Sequence, residues 1–331
     1  MLRVVFLGNS EGVFSNRHFA AMQGVSCEVA AVVAESRVVG GDVPPSRRTS
    51  TNARSTDGQS FVEQAMARRI PAFEPDRPNA PEFVETMKGL RPDLFLAVGY
   101  LNRLGSDLLA APRLLAANFH ASLLPAYRGL HPVFRTLRGG ERWGGLTVHA
   151  MDPWLDTGDI LYQVRVRTRQ DDSVASLYDR IIERSVGLVG QLIAGAELGR
   201  LPRRPQPAQG ASYFSSVTDE DFRLNWRRPA EELRQWICST PGRCFFEGAR
   251  GRVFVLDAEV APGTGAPPGE VIRLGRSRCT ISSGGTGLSL GKVQTAESRV
   301  VDGDTGVQNA VDWCRQQGLK VGARIGGTHN P

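Results

Sequence analysis

Long apolar runs and organised cysteines are both missing from this 331-residue sequence. No apolar stretch approaches the roughly 20 residues that a membrane-spanning helix needs. The apolar part of Met1–Gly8 is too short for a signal peptide and predicts a first strand instead. The five cysteines form no CxxC pair and have no metal-ligand spacing, so we expect reduced thiols in a cytoplasmic protein.

Neither a dinucleotide-binding site nor an activated protein nucleophile is predicted. The dinucleotide fingerprint G-x-G-x-x-G does not occur, so the turn Gly8–Gly12 is interpreted as a strand-to-helix turn rather than a phosphate cradle. The G-x-S-x-G pattern of a nucleophile elbow occurs at Gly8–Gly12 and at Gly287–Gly291, but so short a pattern does not by itself establish an activated serine. We assign no serine or cysteine as an activated nucleophile, so the sequence does not predict a covalent mechanism.

The sequence contains few lysines. The net charge is +6 and the isoelectric point about 9.4, carried mostly by arginine and accompanied by 37 glycines. Such a balance suits an anionic ligand or a nucleic acid. A GC-rich genome produces the same bias, and we prefer that explanation.

Apolar runs alternate with helical patterns through the first two thirds of the chain. Unbroken apolar runs such as Leu2–Leu7 and Cys27–Ala34 are typical of strands buried on both faces. This alternation predicts an α/β fold, a Rossmann-like doubly wound and mainly parallel sheet, over residues 1–200. Leu161–Arg167 is predicted to be an edge strand, and Ser173–Leu198 a covering helix.

A second domain is predicted after a proline-rich linker. Residues 201–212 contain three prolines and little apolar material. Residues 213–331 then show a helix at Pro229–Cys238 and several short β-like runs separated by glycine and proline. Many short strands at this spacing predict a small β-barrel.

The polar residues of most interest lie in two segments about 30 residues apart. The first is Asn118–Pro125, and the second is Asp152–Asp159. If Asn118–Ser122 ends a strand, alternation places Asn118, His120 and Ser122 on one face, at the carboxyl end where open α/β sheets bind ligands.

Each of these side chains has a definite chemical use. His120 can move a proton near neutral pH, Asn118 can donate a hydrogen bond to an oxygen that becomes negative, and Asp156 can orient and support a charged imidazole. Each also has a plain structural alternative. Asn118 could cap a strand, and the Asp-Thr-Gly residues could simply form a turn. The remaining histidines are assigned structural roles, with His131 a partial exception because it follows the first segment; they are His18, His131, His149 and His329.

The joint pattern resembles the folate-dependent formyltransferases. The matching motifs are N-x-H-x-S-L-L-P-x-x-R-G at Asn118–Gly129, and the Gly-Leu-Thr-Val-His and Leu-Asp-Thr-Gly-Asp-Ile runs within Gly145–Ile160. The resemblance is strongest to the methionyl-tRNA branch, because it continues through Asp221–Trp226 and the closing Leu319–Gly322. It implies that the C-terminal barrel is OB-like.

The resemblance also implies the roles of individual residues. Asn118, His120 and Asp156 would be catalytic, and an amine would attack the formyl carbon of 10-formyltetrahydrofolate directly, without a metal. The pterin of the donor would lie between two loops; these are Leu101, Asn102, Arg103 and Leu104, and Asp152, Pro153, Trp154 and Leu155. Acceptor-binding residues would be Ser122, Arg128, Leu130 and His131.

Two departures from the tRNA branch fall where the acceptor would approach. The stretch Ser36–Ser60 has spaced arginines and no lysine cluster, and Gly129–Pro132 is bulkier than usual and closer to the glycinamide-ribonucleotide enzymes. We therefore expect a small-molecule amine as the acceptor, such as an amino sugar or a natural-product intermediate, with methionyl-tRNA as the alternative. A related one-carbon unit such as formimidoyl, and a non-catalytic folate- or RNA-binding module, also stay open.

Overall fold

The computed structural model describes residues 1–35, 59–296 and 306–325. The arginine-bearing stretch Ser36–Ser60, which we singled out above, lies almost wholly outside the described residues. The chain divides into two compact units. The first consists of Met1–Pro132, Trp143–Arg167 and Tyr178–Ser215, and the second of Val133–Arg142, Thr168–Leu177 and Ser216–Pro331.

The first unit is built on a seven-stranded mixed sheet with the order β3-β2-β1-β4-β5-β7-β8. The strands are β1 Leu2–Gly8, β2 Cys27–Ala34, β3 Ala72–Phe73, β4 Leu94–Val98, β5 Leu115–His120, β7 Trp143–Ala150 and β8 Ile160–Arg167, and a short ribbon joins β6 Arg128–Gly129 to β9 Tyr213–Phe214. The helices in this part of the chain are α1 Val13–Met22, α2 Phe61–Ala67, α3 Pro81–Gly89, α4 Ser106–Leu109, α5 Pro132–Arg138, α6 Val174–Ser185 and α7 Leu188–Glu197. Of these, α5 after its first residue and α6 as far as Leu177 belong to the second unit.

The central strands are buried on both faces, as the sequence predicts. Every residue from Val4 to Leu7 and from Leu94 to Val98 is at most 1% exposed. The first five strands pair in parallel, whereas β7 and β8 pair antiparallel, and β8 lies at the sheet edge. The Rossmann-like, mainly parallel fold and the edge position of Leu161–Arg167 are therefore confirmed.

One helix differs from its prediction. The single helix expected over Ser173–Leu198 is two helices, α6 and α7, separated at Val186 and Gly187. Gly187 is the N-cap of α7, and a glycine costs helix-interior stability because it loses more backbone freedom than other residues. The apolar periodicity continues across the break, and for this reason the pattern alone predicts one helix.

The second unit contains two four-stranded antiparallel sheets with the orders β10-β11-β16-β17 and β12-β15-β14-β13. A 3₁₀ helix at Asp219–Phe222 precedes α8 Ala230–Ser239, followed by β10 Phe245–Gly248, β11 Gly251–Val255, β12 Ala258–Ala261, β13 Val271–Leu274, β14 Cys279–Ser283, β15 Thr286–Leu290, β16 Lys292–Thr295, β17 Val307–Asn309 and α9 Ala310–Gln316. The core of this unit packs aromatic side chains such as Trp236, Phe246 and Trp313 among these strands. The C-terminal domain of short antiparallel strands is confirmed.

His18 on α1 is fully buried in the first unit. Its Nδ1 donates to the Phe14 carbonyl at 2.8 Å and its Nε2 lies 3.0 Å from the Ser185 hydroxyl. Burial lowers the pKa of this imidazole from 6.5 to about 4, although the bond to Phe14 opposes that change. The folded protein therefore holds His18 neutral at a pH where the unfolded chain protonates it.

This histidine predicts an acid-sensitive fold. Because the folded pKa is below the unfolded one, stability is lost as pH falls from 6.5 towards 4, by at most about 3 kcal/mol from this group. Urea unfolding between pH 7 and 4.5 measures the loss. The same series on His18→Asn is expected to show a shallower pH dependence, and an equal slope in the two proteins would contradict the assignment.

Candidate active site

A cavity of about 750 Å³ opens in the first unit beside the carboxyl ends of β4 and β5. Such a volume is within the range of small-molecule sites. Its walls include all three residues to which we assign catalysis, Asn118, His120 and Asp156. The structure therefore brings the two polar segments of the sequence to one place.

Strand alternation presents Asn118 and His120 together. Both lie in the last three residues of β5, and Phe119 between them is 2% exposed, with its ring 5.3 Å from that of His18. Phe119 therefore anchors the strand, and the polar residues on either side face away from it. The strand ends at His120, earlier than the predicted Ser122.

Asp156 is the centre of the polar cluster. Its carboxylate accepts from the Gly129 amide at 2.8 Å and from Asn118 Nδ2 at 3.2 Å, and it lies 3.6 Å from His120 Nδ1. The side chain is 6% exposed. Burial raises its pKa, but His120, His149 and the Gly129 amide outweigh burial and bring the pKa down to about 2. Asp156 is therefore an anion throughout the physiological range.

The backbone of Asp156 is in the left-handed region, with φ of 56°. This conformation costs a non-glycine residue on the order of 1–2 kcal/mol. It persists because the carboxylate and the carbonyl of this residue are both held by hydrogen bonds, to Gly129 and Asn118 on one side and to Gln206 on the other. A strained residue with this many partners is typical of a functional site.

His149 belongs to the cluster, contrary to the structural role assigned to it from the sequence. It lies on β7 directly opposite Asn118 in the antiparallel pairing of β5 and β7. Its Nε2 is 3.2 Å from Asn118 Nδ2 and 3.4 Å from an Asp156 oxygen, while its Nδ1 is 2.8 Å from the Ala150 carbonyl. Nδ1 therefore carries a hydrogen, and Nε2 accepts one from Asn118. No spacing in the sequence reveals this pairing, because it depends on β7 running antiparallel to β5.

The partners of His120 determine where it can gain a proton. Its Nε2 donates to the Tyr127 carbonyl at 2.8 Å, so the free lone pair of the neutral ring is on Nδ1, which faces Asp156. Burial lowers the pKa of His120 below 6.5, against the opposing effect of Asp156. The ring is thus neutral at pH 7, and a proton added at Nδ1 would meet a carboxylate.

The side-chain amide of Asn118 has a fixed orientation. Both of its Nδ2 hydrogens point towards acceptors, Asp156 Oδ1 and His149 Nε2, each at 3.2 Å. The reversed amide would place an oxygen against the Asp156 carboxylate, which is electrostatically unfavourable. These two bonds are near the long end of the normal range, and catalytic hydrogen bonds often tighten only when substrate is bound.

The two loops predicted to hold the donor face each other across the cavity. All eight of their predicted residues line it. Arg103 connects the loops, because its guanidinium donates to the Pro153 carbonyl at 2.6 Å. The Asp152 carboxylate closes its own loop by accepting from the Trp154 amide and the Thr157 hydroxyl. The loops are therefore held by the protein itself.

The cavity fits a flat heteroaromatic ring. Trp154 is 73% exposed and Leu101 is 70% exposed, although both line the cavity, so their apolar surfaces are available to a ligand. Apolar walls with a few fixed polar groups are typical of sites that bind such rings. The pterin of a folate matches this chemistry. Among the described residues, no group of three or more His, Cys, Asp or Glu side chains could hold a metal ion.

The predicted acceptor residues divide into two groups. Arg128, Leu130 and His131 line the cavity. Ser122 does not: it is fully buried beyond the end of β5, and its hydroxyl donates to the Ala126 carbonyl at 2.7 Å. The alternation that would have placed Ser122 beside His120 stops where the strand stops. Tyr213, to which no sequence motif assigns a role, also lines the cavity and is 61% exposed.

Comparison with known proteins gives matches over both units. Residues 2–190 match the formyl transferase family and residues 216–310 match the formyl transferase C-terminal domain. A methionyl-tRNA formyltransferase from Symbiobacterium thermophilum is 31% identical over 331 residues, covering 98% of this chain and 95% of the relative. No described helix is long and apolar enough to cross a membrane.

Two solved structures share the fold. An N-formyltransferase from Helicobacter canadensis, in complex with folinic acid and dTDP-3-aminofucose, superposes with a TM-score of 0.62 at 14% identity, covering 88% of this chain and 99% of that one. HypX from Aquifex aeolicus, in complex with tetrahydrofolic acid, superposes with a TM-score of 0.55 at 17% identity, covering 91% of this chain and 47% of that one. With both family models matched and a relative similar over nearly its whole length, the chain belongs to the folate-dependent formyltransferase family.

Proposed function

We propose that this enzyme transfers the formyl group of 10-formyltetrahydrofolate to a primary amine. The observation that supports the proposal is the convergence of Asn118, His120 and Asp156 on one cavity whose described lining contains no serine or cysteine. We therefore assign the attack on the formyl carbon to the substrate amine itself. The cluster moves protons and stabilises charge during that attack.

Each residue of the cluster has a part in the proposed mechanism. The folate donor, when bound, supplies an activated formyl carbon. His120 Nδ1 takes a proton from the attacking amine, and Asp156 stabilises the resulting imidazolium. His120 then returns that proton to the folate nitrogen as the bond between this nitrogen and the formyl carbon breaks, so that tetrahydrofolate leaves. Asn118 gives up one of its two 3.2 Å hydrogen bonds within the cluster. It donates instead to the formyl oxygen, which gains negative charge during the attack. His120 is assigned the role of base because its lowered pKa leaves the ring neutral and able to accept a proton.

We propose a small molecule as the acceptor. Leu130 and His131 stand beside Arg128 on the cavity wall, and these are the positions where the chain departs from the tRNA branch that it resembles. His131 is exposed and has a positive φ of 55°, which directs this segment away from an extended path. An amine carried on an amino sugar or another natural-product skeleton is the acceptor that these residues favour.

Methionyl-tRNA is the second candidate. It is favoured by the full-length similarity to the Symbiobacterium enzyme, since that similarity includes the C-terminal domain. The stretch Ser36–Ser60, where a basic flap would lie, is almost entirely outside the described residues. A tRNA complex would depend strongly on salt because phosphate contacts release counterions.

The test measures tetrahydrofolate release from 10-formyltetrahydrofolate, with methionyl-tRNA in one reaction and a panel of small primary amines in another. Turnover only with small amines supports the proposal. Rapid turnover on methionyl-tRNA, lost as salt is raised, would replace the proposed acceptor with tRNA and keep the formyl chemistry. No turnover in either reaction would contradict the proposed donor.

Replacing Arg103 with alanine tests the donor site. Arg103 is the side chain that links the two donor loops, so its loss is expected to raise the KM for the donor by about tenfold, the scale of one hydrogen bond to a charged group. The amine KM is expected to change little. Arg77→Ala is the matched control, since Arg77 is exposed on the same unit and does not line the cavity. Equal donor KM values in the two variants would contradict the donor site.

A further inference from the structure

The segment Arg204–Phe214 crosses two loops that lead into the cluster, although its sequence predicts a linker with little to bury. At one end Arg204 and Ile160 exchange main-chain hydrogen bonds of 2.8 and 3.0 Å. At the other end the Arg128 and Leu130 amides donate to the carbonyls of Ser212 and Phe214, both at 2.9 Å. This segment, which we call the strap, thus joins the Gly129 loop to the loop that carries Asp156.

The close approach at Gly129 shows how tightly the strap is seated. A Cβ built on this glycine would lie 2.1 Å from the Phe214 carbonyl oxygen, and the residue has a φ of 93°. Only glycine permits that backbone contact. The Gly129 amide donates to the Asp156 carboxylate, so the strap packs against the residue that holds this carboxylate.

Gln206 is the strap residue that reaches the Asp156 loop. Its Nε2 donates to the Asp156 carbonyl at 2.9 Å and to the Gly158 carbonyl at 2.8 Å. Its Oε1 accepts from Arg128 Nη2 at 2.8 Å and from Arg128 Nε at 3.2 Å. The reversed amide would place oxygen against two carbonyls and hydrogens against a guanidinium, so the orientation is fixed by its partners.

We propose that Gln206 is a positioning residue for Asp156, acting from the strap on the backbone of the aspartate while Gly129 and Asn118 hold its carboxylate. The inference rests on the proposed function and deepens it. The left-handed backbone of Asp156 is unfavourable by itself, and the Gln206 amide is the side chain that holds its carbonyl. Without this bond the loop relaxes, and the carboxylate moves relative to His120.

The test is a double-mutant cycle on kcat. Gln206→Leu keeps the size of the side chain and removes all four hydrogen bonds, and it is expected to lower kcat by about ten- to a hundredfold, the scale of a displacement near 1 Å at the reacting groups. The KM values for donor and amine are expected to change by less than about threefold. In an Asp156→Asn background the same substitution is expected to cost less than about twofold, because the residue through which it acts is already altered.

A matched control and a readout without substrate complete the experiment. Gln209→Leu changes the same residue type in the same strap, at an exposed position outside the cavity lining, and is expected to leave kcat unchanged. NMR titration of the His120 ring, which faces Asp156 and His149, is expected to show a pKa lower in Gln206→Leu than in the wild type, because the supporting carboxylate is farther away. Thermal unfolding shows whether each variant is folded.

Each outcome has one meaning. Multiplicative losses in the Asp156→Asn background, or an unchanged His120 pKa in folded Gln206→Leu, would show that Gln206 does not act through Asp156. An unchanged kcat in Gln206→Leu would overturn the inference while leaving the proposed function intact. A wild-type enzyme that transfers no formyl group to any amine would overturn the proposed function, and the NMR titration would still test the positioning.

Discussion

Asp156→Asn is expected to lower kcat by about 10²- to 10⁴-fold, the range associated with losing proton-transfer catalysis and its supporting charge. The amide can still accept from the Gly129 backbone, so the loop keeps its hydrogen bond and the cavity its shape. What disappears is the negative charge beside His120 Nδ1. An imidazolium formed there would be buried without a counterion, which raises the free energy of the transition state.

Steady-state kinetics with saturating donor measure this effect. Asp159→Asn is the control, since Asp159 lies three residues away in the same loop and its carboxylate is 3.9 Å from Arg203 rather than in the cluster. The control is expected to retain kcat within about twofold, as surface ion pairs contribute little. A similar kcat for Asp156→Asn and the wild type would remove Asp156 from the mechanism.

His120→Asn is expected to cost a comparable factor of about 10²–10⁴ in kcat. Asparagine is neutral at all relevant pH values and cannot take the proton of the amine. It also shortens the reach to the Tyr127 carbonyl, which His120 Nε2 now holds at 2.8 Å. The donor KM is expected to stay within about threefold, because the donor loops do not depend on this ring.

The pH profile of kcat/KM shows whether the neutral or the protonated ring of His120 is the active form. Burial holds the pKa of His120 below 6.5, and the proposed mechanism uses the neutral ring. Activity is therefore expected to fall as pH drops through that pKa, with the acidic limb below pH 6.5. The limb should vanish in His120→Asn. Activity that rises on acidification would show instead that the protonated ring is the active form.

The parts of the site that follow from the sequence are those set by strand periodicity. Asn118 and His120 are two residues apart at a strand end, so alternation alone places them together, and the parallel order of the buried strands places them beside the loop after β4. The position of Asp156 follows only from the resemblance, because a loop residue with a positive φ has no periodicity to predict it.

The site residues that the sequence does not predict depend on contacts between distant segments. His149 reaches the cluster through an antiparallel pairing, and Gln206 reaches it from a proline-rich stretch that resembles a linker in composition. Hydrogen-bonded loops of this kind bury few apolar atoms, so no hydrophobic pattern marks them. Ser122 is the opposite case: strand alternation predicts it on the same face as His120, but β5 ends at His120 and the hydroxyl of Ser122 donates to the Ala126 carbonyl instead.

In the proposed mechanism the formyl group passes directly to the amine without a protein nucleophile. A rapid-quench single turnover with 10-formyltetrahydrofolate carrying a ¹³C formyl group, followed by intact-protein mass spectrometry and product analysis at each time point, distinguishes direct transfer from a covalent intermediate. With direct transfer, labelled formamide appears in one phase and the protein mass never changes. A transient formyl increment on the protein, formed and lost at the rate of turnover, would contradict it.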